Sequence, residues 1–148
     1  MKKILFRLTD ILELCIAYTF CFSLNLAFDY VKTLQITSDL LASFLRNFLP
    51  YQSIIVILST FVVIVFHYQF SCRKKTEVFC RMLVGDTLFN IMVRYSLVCL
   101  IVLASIYLLS TMVNIYLGFS LTGNLYLALI FIVYILISAR QVCKYENI

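Results

Sequence analysis

The sequence has little of what a soluble domain needs. Charged residues make up only 13% of its 148 residues and apolar residues 64%, whereas a soluble domain has about 25% charged and about 45–50% apolar residues. This composition excludes an ordinary soluble domain. Four membrane helices require about 20 apolar residues each, and the chain supplies enough for four. The rest is too short to bury a second core, so we expect one membrane domain over residues 1–148.

Signatures of catalysis and of cofactor binding are also missing. The chain lacks a Gly-x-x-x-x-Gly-Lys-Ser/Thr loop for nucleotide phosphates. No carboxylate falls near the middle of an apolar run, so we expect neither a catalytic pair nor enzymatic activity. The single histidine, His67, and the cysteines Cys72 and Cys80 lack the spacing of a zinc site. We interpret His67 as an interfacial packing residue, since no second titratable group at membrane depth accompanies it.

Four apolar segments predict membrane-spanning helices, at about residues 11–28, 51–70, 95–119 and 121–137. The only proline, Pro50, suits the first turn of the second span. Gly118 and Gly123 mark the turn before the fourth span. We therefore predict an all-α integral membrane protein with four transmembrane helices.

The basic residues predict the orientation. Ten of the 12 Lys and Arg residues precede the first span, separate the second from the third, or follow the fourth. The other two, Lys32 and Arg46, lie between the first and second spans. Basic residues concentrate on the cytoplasmic side, so we expect a multi-pass membrane protein with both termini cytoplasmic. The net charge of +5 then indicates contact with membrane lipids rather than with nucleic acid. The ten are Lys2, Lys3, Arg7, Arg73, Lys74, Lys75, Arg81, Arg94, Arg140 and Lys144.

Residues 38–49, between the first two spans, have the pattern of an amphipathic helix. Leucine and phenylalanine residues share one arc of the helical wheel, opposite polar residues such as Asp39 and Arg46. Two placements stay open: an interfacial helix on the outer leaflet, or a short stalk that extends the membrane helices. The apolar arc consists of Leu40, Leu41, Phe44, Leu45, Phe48 and Leu49.

The connector at 73–84 predicts a second amphipathic helix, which we expect on the cytoplasmic face of the membrane. Glu77 and Arg81 lie four residues apart on its charged face, in the favourable order. Gly85 is expected to end this helix, and Asp86 or Thr87 to cap the next. Its apolar arc consists of Val78, Phe79, Met82 and Leu83.

The stretch Arg73-Lys-Lys-Thr-Glu-Val-Phe-Cys-Arg-Met-Leu-Val-Gly-Asp-Thr87 resembles the segment after the second transmembrane helix in FtsX/MacB-type ABC transporter permeases. That segment combines an acidic and an aliphatic residue, a basic residue, an aliphatic pair, then Gly, a small residue and Thr or Ser. The four predicted spans and the cytoplasmic N-terminus also resemble that family. The chain looks like a miniature member, because about 20 residues stand where the family has a folded extracellular domain. The matching positions are Glu77, Val78, Arg81, Leu83, Val84, Gly85 and Thr87.

The resemblance implies that residues 73–84 are a coupling helix, which docks on a separate ABC ATPase subunit and carries its motion into the membrane. ATP and magnesium would bind to that partner, and this chain would bind no cofactor or metal. A second copy or a related permease would complete the complex, which would lie in the bacterial plasma (inner) membrane. The substrate would be an outer-leaflet lipid or peptide, or the target another membrane protein. The residues implied to face the ATPase are Thr76, Glu77, Val78, Phe79, Arg81, Met82, Leu83 and Gly85.

Two further interpretations come from the residues. Asn25, in the outer half of the first span, is predicted to make an intramembrane polar contact, because hydrocarbon offers its amide few partners. The alternative to a permease is a small non-transporting four-helix membrane protein, such as an immunity, holin-like or accessory subunit. Its basic connector would only anchor it to anionic lipid.

Overall fold

The computed structural model describes residues 8–34 and 38–143, and helices account for nearly all of them. Four helices are long and apolar enough to cross a membrane, which confirms the prediction of an all-α protein with four such helices. The basic residues Lys2, Lys3, Arg7 and Lys144 lie outside the described residues. The helices are α1 (Leu8–Thr33), α2 (Asp39–Phe48), α3 (Gln52–Leu83), α4 (Leu88–Leu117) and α5 (Thr122–Cys143), and a 3₁₀ turn (Leu49–Tyr51) joins α2 to α3.

The third helix, α3, is longer than the predicted second span. It has 32 residues, or about 48 Å at about 1.5 Å per residue, against a hydrocarbon core of about 30 Å. The segment predicted as a separate helix at 73–84 is therefore the last third of α3. The physical reason is local: between Pro50 and Gly85 the sequence has neither proline nor glycine to interrupt the helix.

Two glycines reverse the chain at opposite ends of the bundle. Gly85 has φ +91° after α3 and Gly118 has φ +72° after α4, a region that favours glycine. Each is followed by a backbone N–H that reaches back five residues: Asp86 donates to Arg81 O at 3.1 Å, and Phe119 to Asn114 O at 2.9 Å. This is the Schellman arrangement. Both turns are consequently short and defined by backbone geometry.

The helices pack so that α1 and α5 each contact both α3 and α4. The buried core runs the length of this contact, from Ile91 and Val78 to Phe22 and Ile106. We call the end with the α3–α4 turn the charged end, because Asp10 and the basic residues of α3 lie there. We call the opposite end, which holds α2 and the α4–α5 turn, the α2 end.

The amphipathic segment at 38–49 is α2, with ends within one residue of the predicted range. None of its residues is buried. It contacts α1 through a stacked pair of rings, Phe28 and Phe48, whose centroids lie 5.9 Å apart. Pro50 lies in the 3₁₀ turn that follows, two residues before the first residue of α3. The apolar side chains Leu40 and Phe44 are exposed.

Candidate functional site

Ion pairs at the charged end join α1 to α3. Lys74 Nζ lies 2.6 Å from Asp10 Oδ2, and each side chain is only 15% exposed. Arg73 makes a second, more exposed pair with Glu13 at 2.9 Å. Lys74 also contacts Glu77 at 3.0 Å. Because a half-buried charge is costly without a partner, these pairs fix the rotation of the end of α3 relative to α1.

The predicted ATPase-facing residues do not share one exposed surface. Val78 is 4% exposed and belongs to the core, so the predicted apolar arc is divided. Met82 is partly buried against the same core. Phe79 and Leu83 are 58% and 73% exposed. The division arises because α3 continues to Leu83 without a break and packs against the neighbouring helices through Val78.

The polar residues of the same segment shape the α3–α4 turn. Glu77 Oε1 accepts a hydrogen bond from Arg81 at 3.3 Å, within the last two turns of α3. Gly85 provides the positive φ, and a Cβ added there would meet no atom within 4 Å. Thr87 caps α4, since its side chain accepts from the Asn90 N–H at 3.4 Å. Thr76 is exposed on α3.

Four exposed apolar side chains surround this turn. Phe79 and Leu83 come from α3, Val84 is 88% exposed in the turn, and Phe89 is 66% exposed at the start of α4. We call Phe79, Leu83, Val84 and Phe89 the turn patch. Phe79, Leu83 and Val84 follow the basic run Arg73, Lys74 and Lys75 in sequence, and Phe89 lies two residues after Thr87, the cap of α4.

A second polar group lies inside the bundle, where His67 is 1% exposed. Its Nε2 lies 2.5 Å from the Tyr18 hydroxyl of α1, and its Nδ1 lies 3.4 Å from the Tyr95 hydroxyl of α4. The Tyr95 hydroxyl lies 3.1 Å from Ser138 Oγ of α5, which in turn lies 3.1 Å from Ser71 Oγ of α3. We call these five residues the interior network. They connect all four long helices.

One assignment of protons satisfies the interior network with a neutral imidazole. Tyr18 donates to Nε2 of His67, and Nδ1–H of His67 donates to the Tyr95 oxygen. Tyr95 then donates to Ser138, and Ser138 to Ser71. In this assignment the donors all point the same way along the chain of bonds, an arrangement in which each bond polarises the next.

The interpretation of His67 as an interfacial packing residue misses these partners. Two tyrosines in apolar runs, Tyr18 and Tyr95, bring hydroxyl groups to His67. A helical wheel offers one signal, because His67 and Ser71 are four residues apart on α3 and share a face. Nothing in the sequence pairs that face with Tyr18, which is 49 residues away.

A third polar group lies near the α2 end and includes Asn25. The Asn25 amide donates to Asn124 Oδ1 of α5 at 3.1 Å, and the Asn124 amide donates to Ser110 Oγ of α4 at 2.8 Å. Asn25 is 6% exposed and Asn124 is fully buried. Asn25 of α1 thus contacts α5 directly, and α4 is joined through a second bond.

Gly123 makes room for this contact. A Cβ added at Gly123 would lie 2.8 Å from Asn25 Nδ2 and 3.3 Å from Asn25 Oδ1. The first distance is shorter than van der Waals contact permits, so any larger residue would displace the Asn25 amide. The glycine interpreted from sequence as a turn marker also lets α1 and α5 approach closely at the α2 end.

Asn114 is the exception among these polar side chains. It is 0% exposed, and neither its Nδ2 nor its Oδ1 has a hydrogen-bond partner among the described residues. It follows Ser110 by four residues, which places both on one face of α4. Buried amides are nearly always satisfied. The lack of partners for the buried Asn114 amide therefore needs a physical explanation.

The described residues contain no group of three His, Cys, Asp or Glu side chains placed to hold a metal ion. The three polar groups each join two or more of the long helices. No protein-family model, curated protein or solved structure matches the chain.

Proposed function

We propose that this protein is a permease-like membrane subunit of an ABC transporter complex of the FtsX/MacB type. Both termini and the charged end face the cytoplasm of a bacterium, and the α2 end faces outward. This orientation rests on the ten basic residues that sequence places on one side of the membrane against two on the other. A separate ATPase subunit binds ATP and magnesium, and a second copy or a related permease completes the complex.

The observation that carries the proposal is the α3–α4 turn. The residues that resemble the family segment have definite structural roles there: Glu77 and Arg81 pair along α3, Gly85 has the positive φ, and Thr87 caps α4. A segment that merely anchored the chain to anionic lipid would need its basic residues alone, without the four exposed apolar side chains of the turn patch. The turn therefore supports a docking role over the anchoring alternative.

The turn patch is the surface that we assign to the ATPase. It carries four large apolar side chains, each more than half exposed, in a part of the chain that lies beyond the hydrocarbon. Apolar side chains gathered on an aqueous surface favour a protein partner. In this assignment Val78 has a core role, and Glu77 and Arg81 stiffen the helix that presents Phe79.

Two sets of contacts between helices transmit motion of the turn to the rest of the bundle. The Lys74–Asp10 and Arg73–Glu13 pairs attach α3 to α1 just inside the charged end. The interior network then attaches α3 to α1, α4 and α5 through His67 and Ser71. A push on the turn patch thus moves the bundle as a unit and alters the α2 end. Its output is work on an outer-leaflet lipid or peptide, or on another membrane protein.

The experiment is co-purification of the tagged chain from native membranes, followed by identification of the bound proteins. Phe79→Ala is the test variant, because aromatic anchors at interfaces commonly contribute about 2 kcal/mol or more. Phe61→Ala is the matched control: Phe61 lies on the same helix with a similar exposure, 61% against 58%, but within the predicted span. We expect an ATPase with the parent and with Phe61→Ala, and at least a tenfold lower recovery with Phe79→Ala.

Two results contradict the proposal. Recovery of no ATPase with the parent chain favours the small non-transporting membrane protein. Equal recovery with Phe79→Ala and Phe61→Ala removes the turn patch from the interface.

A further inference from the structure

The feature that the proposed function leaves unexplained is the buried amide of Asn114. Its neighbours in the third polar group satisfy one another: Asn25 donates to Asn124, and Asn124 donates to Ser110. Asn114 lies on the same face of α4, one turn nearer the α2 end. Its two polar atoms are as deeply buried as those of Asn124 but have no partner among the described residues.

An unsatisfied carboxamide in a membrane bundle is expensive, because neither water nor lipid tails compensate it. A leucine would fill a similar volume without that cost. The sequence nonetheless has asparagine at a fully buried position of α4, within three residues of its end at Leu117. The amide is accounted for if a group from outside the chain binds to it.

The chemistry of the site restricts that group. Asn114 offers an N–H donor and a carbonyl acceptor side by side, so one group that both donates and accepts on neighbouring atoms bonds to both of its polar atoms. An amide is such a group. The third polar group, Asn25, Ser110 and Asn124, is uncharged, and Asp29, four residues after Asn25 on α1, is paired with Lys32 at 3.5 Å. The site therefore favours a neutral ligand over an ion.

Access requires only a local change. The α4–α5 turn begins just after Asn114, and Gly118 within it, four residues on, is exposed. Two backbone hydrogen bonds close the turn, from Gly118 to Ile115 O and from Phe119 to Asn114 O. Helix ends of this kind open at far smaller cost than the whole fold. Opening here uncovers the amide from the α2 end while the remaining α1–α5 contact at Asn25 stays in place.

We propose that Asn114 is the binding residue of a site for a neutral amide group, located between α1, α4 and α5 at the α2 end. The amide comes from an amide-bearing lipid or from a peptide. The site is independent of any ATPase partner, and it is tested without one.

The test uses the purified chain in detergent and follows its thermal unfolding. Decanamide represents an amide carried on an aliphatic chain, and N-acetyl-leucyl-leucinamide represents a capped peptide. N,N-dimethyldecanamide is the matched control ligand, because methylation removes both donor hydrogens and leaves the acceptor. At a probe concentration ten times its dissociation constant, binding is expected to raise the midpoint temperature of unfolding by about 3–6 °C. The probe that saturates the shift at the lower concentration identifies the source: decanamide indicates a lipid, and N-acetyl-leucyl-leucinamide indicates a peptide.

The variant is Asn114→Leu, and its control is Val113→Leu at the neighbouring, 45% exposed position. We expect the midpoint shift to persist in Val113→Leu and to disappear in Asn114→Leu. Asn114→Ala replaces it if Asn114→Leu does not purify as a folded protein.

Three outcomes overturn the proposal. One is an equal shift with decanamide and its dimethyl analogue. Another is a shift that survives removal of the Asn114 amide. The third is no shift of the unfolding temperature with any probe. In that case, a higher unfolding temperature for Asn114→Leu indicates an amide that is simply unsatisfied, and a lower one indicates an amide that binds only water.

Discussion

The Tyr18 hydroxyl oxygen lies 2.5 Å from Nε2 of His67, so a buried hydrogen bond joins α1 to α3. The two rings are also tilted against each other, with centroids 5.5 Å apart. Since His67 further contacts Tyr95, it lies at the crossing of three helices. Loss of either partner leaves a buried ring nitrogen without its bond.

Tyr18→Phe is expected to destabilise the bundle by about 1–2 kcal/mol, because it removes the shorter of the two bonds and leaves Nε2 of His67 unpaired. Tyr126→Phe is the matched control, since Tyr126 is 63% exposed on α5. Reversible unfolding in mixed micelles measures both. A loss in Tyr126→Phe as large as in Tyr18→Phe contradicts a specific role for this bond.

The half-buried Lys74–Asp10 pair is expected to couple the two side chains energetically. Lys74→Met and Asp10→Asn should each destabilise the protein, by about 1–2 kcal/mol, since each leaves a partly buried charge with fewer partners. The double variant should lose less than the sum of the two. Strict additivity in the unfolding free energies argues that this pair does not hold α1 against α3.

Gly123→Ala is expected to break the Asn25–Asn124 bond, because its Cβ would lie 2.8 Å from Asn25 Nδ2. The loss of stability should be about 1–3 kcal/mol. A second change, Asn25→Ala, removes the clashing amide and should recover part of that loss. Absence of any recovery in the double variant shows that Gly123 acts through something other than contact with Asn25.

Gly85→Ala and Gly118→Ala form a matched pair, since both glycines have positive φ and neither has an atom within 4 Å of an added Cβ. Each should cost about 1–2 kcal/mol of backbone strain. Under the proposed function only Gly85→Ala weakens the ATP-dependent activity of the complex, because only that turn bears the ATPase. Equal loss of activity in the two variants assigns the effect to stability alone.

Single cysteines in a Cys-free background test the orientation. Those placed at Ser43 and Ser120 should react with an impermeant maleimide in intact cells, and one at Thr76 should not. All three positions are exposed in the structure, so reactivity reports the side of the membrane. Labelling at Thr76 from outside reverses the proposed orientation and removes the cytoplasmic docking role of the turn.

The sequence by itself determined the number of long helices and the places where the chain turns. These features depend on local properties: the length of an apolar run, the periodicity of residues 38–49, and the glycines at 85 and 118 that accept a positive φ. The same local properties were sufficient to predict that α3 is continuous, because no proline or glycine lies between Phe70 and Val84. The predicted end of the second span followed hydropathy, which marks a membrane boundary rather than a helix end.

Only the tertiary structure decided which polar side chains meet. Tyr18 and His67 are 49 residues apart in sequence, and Asn25 and Asn124 are 99 apart. Whether such residues face each other depends on the rotation and axial register of whole helices. Those are set by packing summed over the bundle. Helix packing also places Val78 in the core and leaves Phe79 exposed. It buries the amide of Asn114 without a hydrogen-bond partner among the residues that the structure describes.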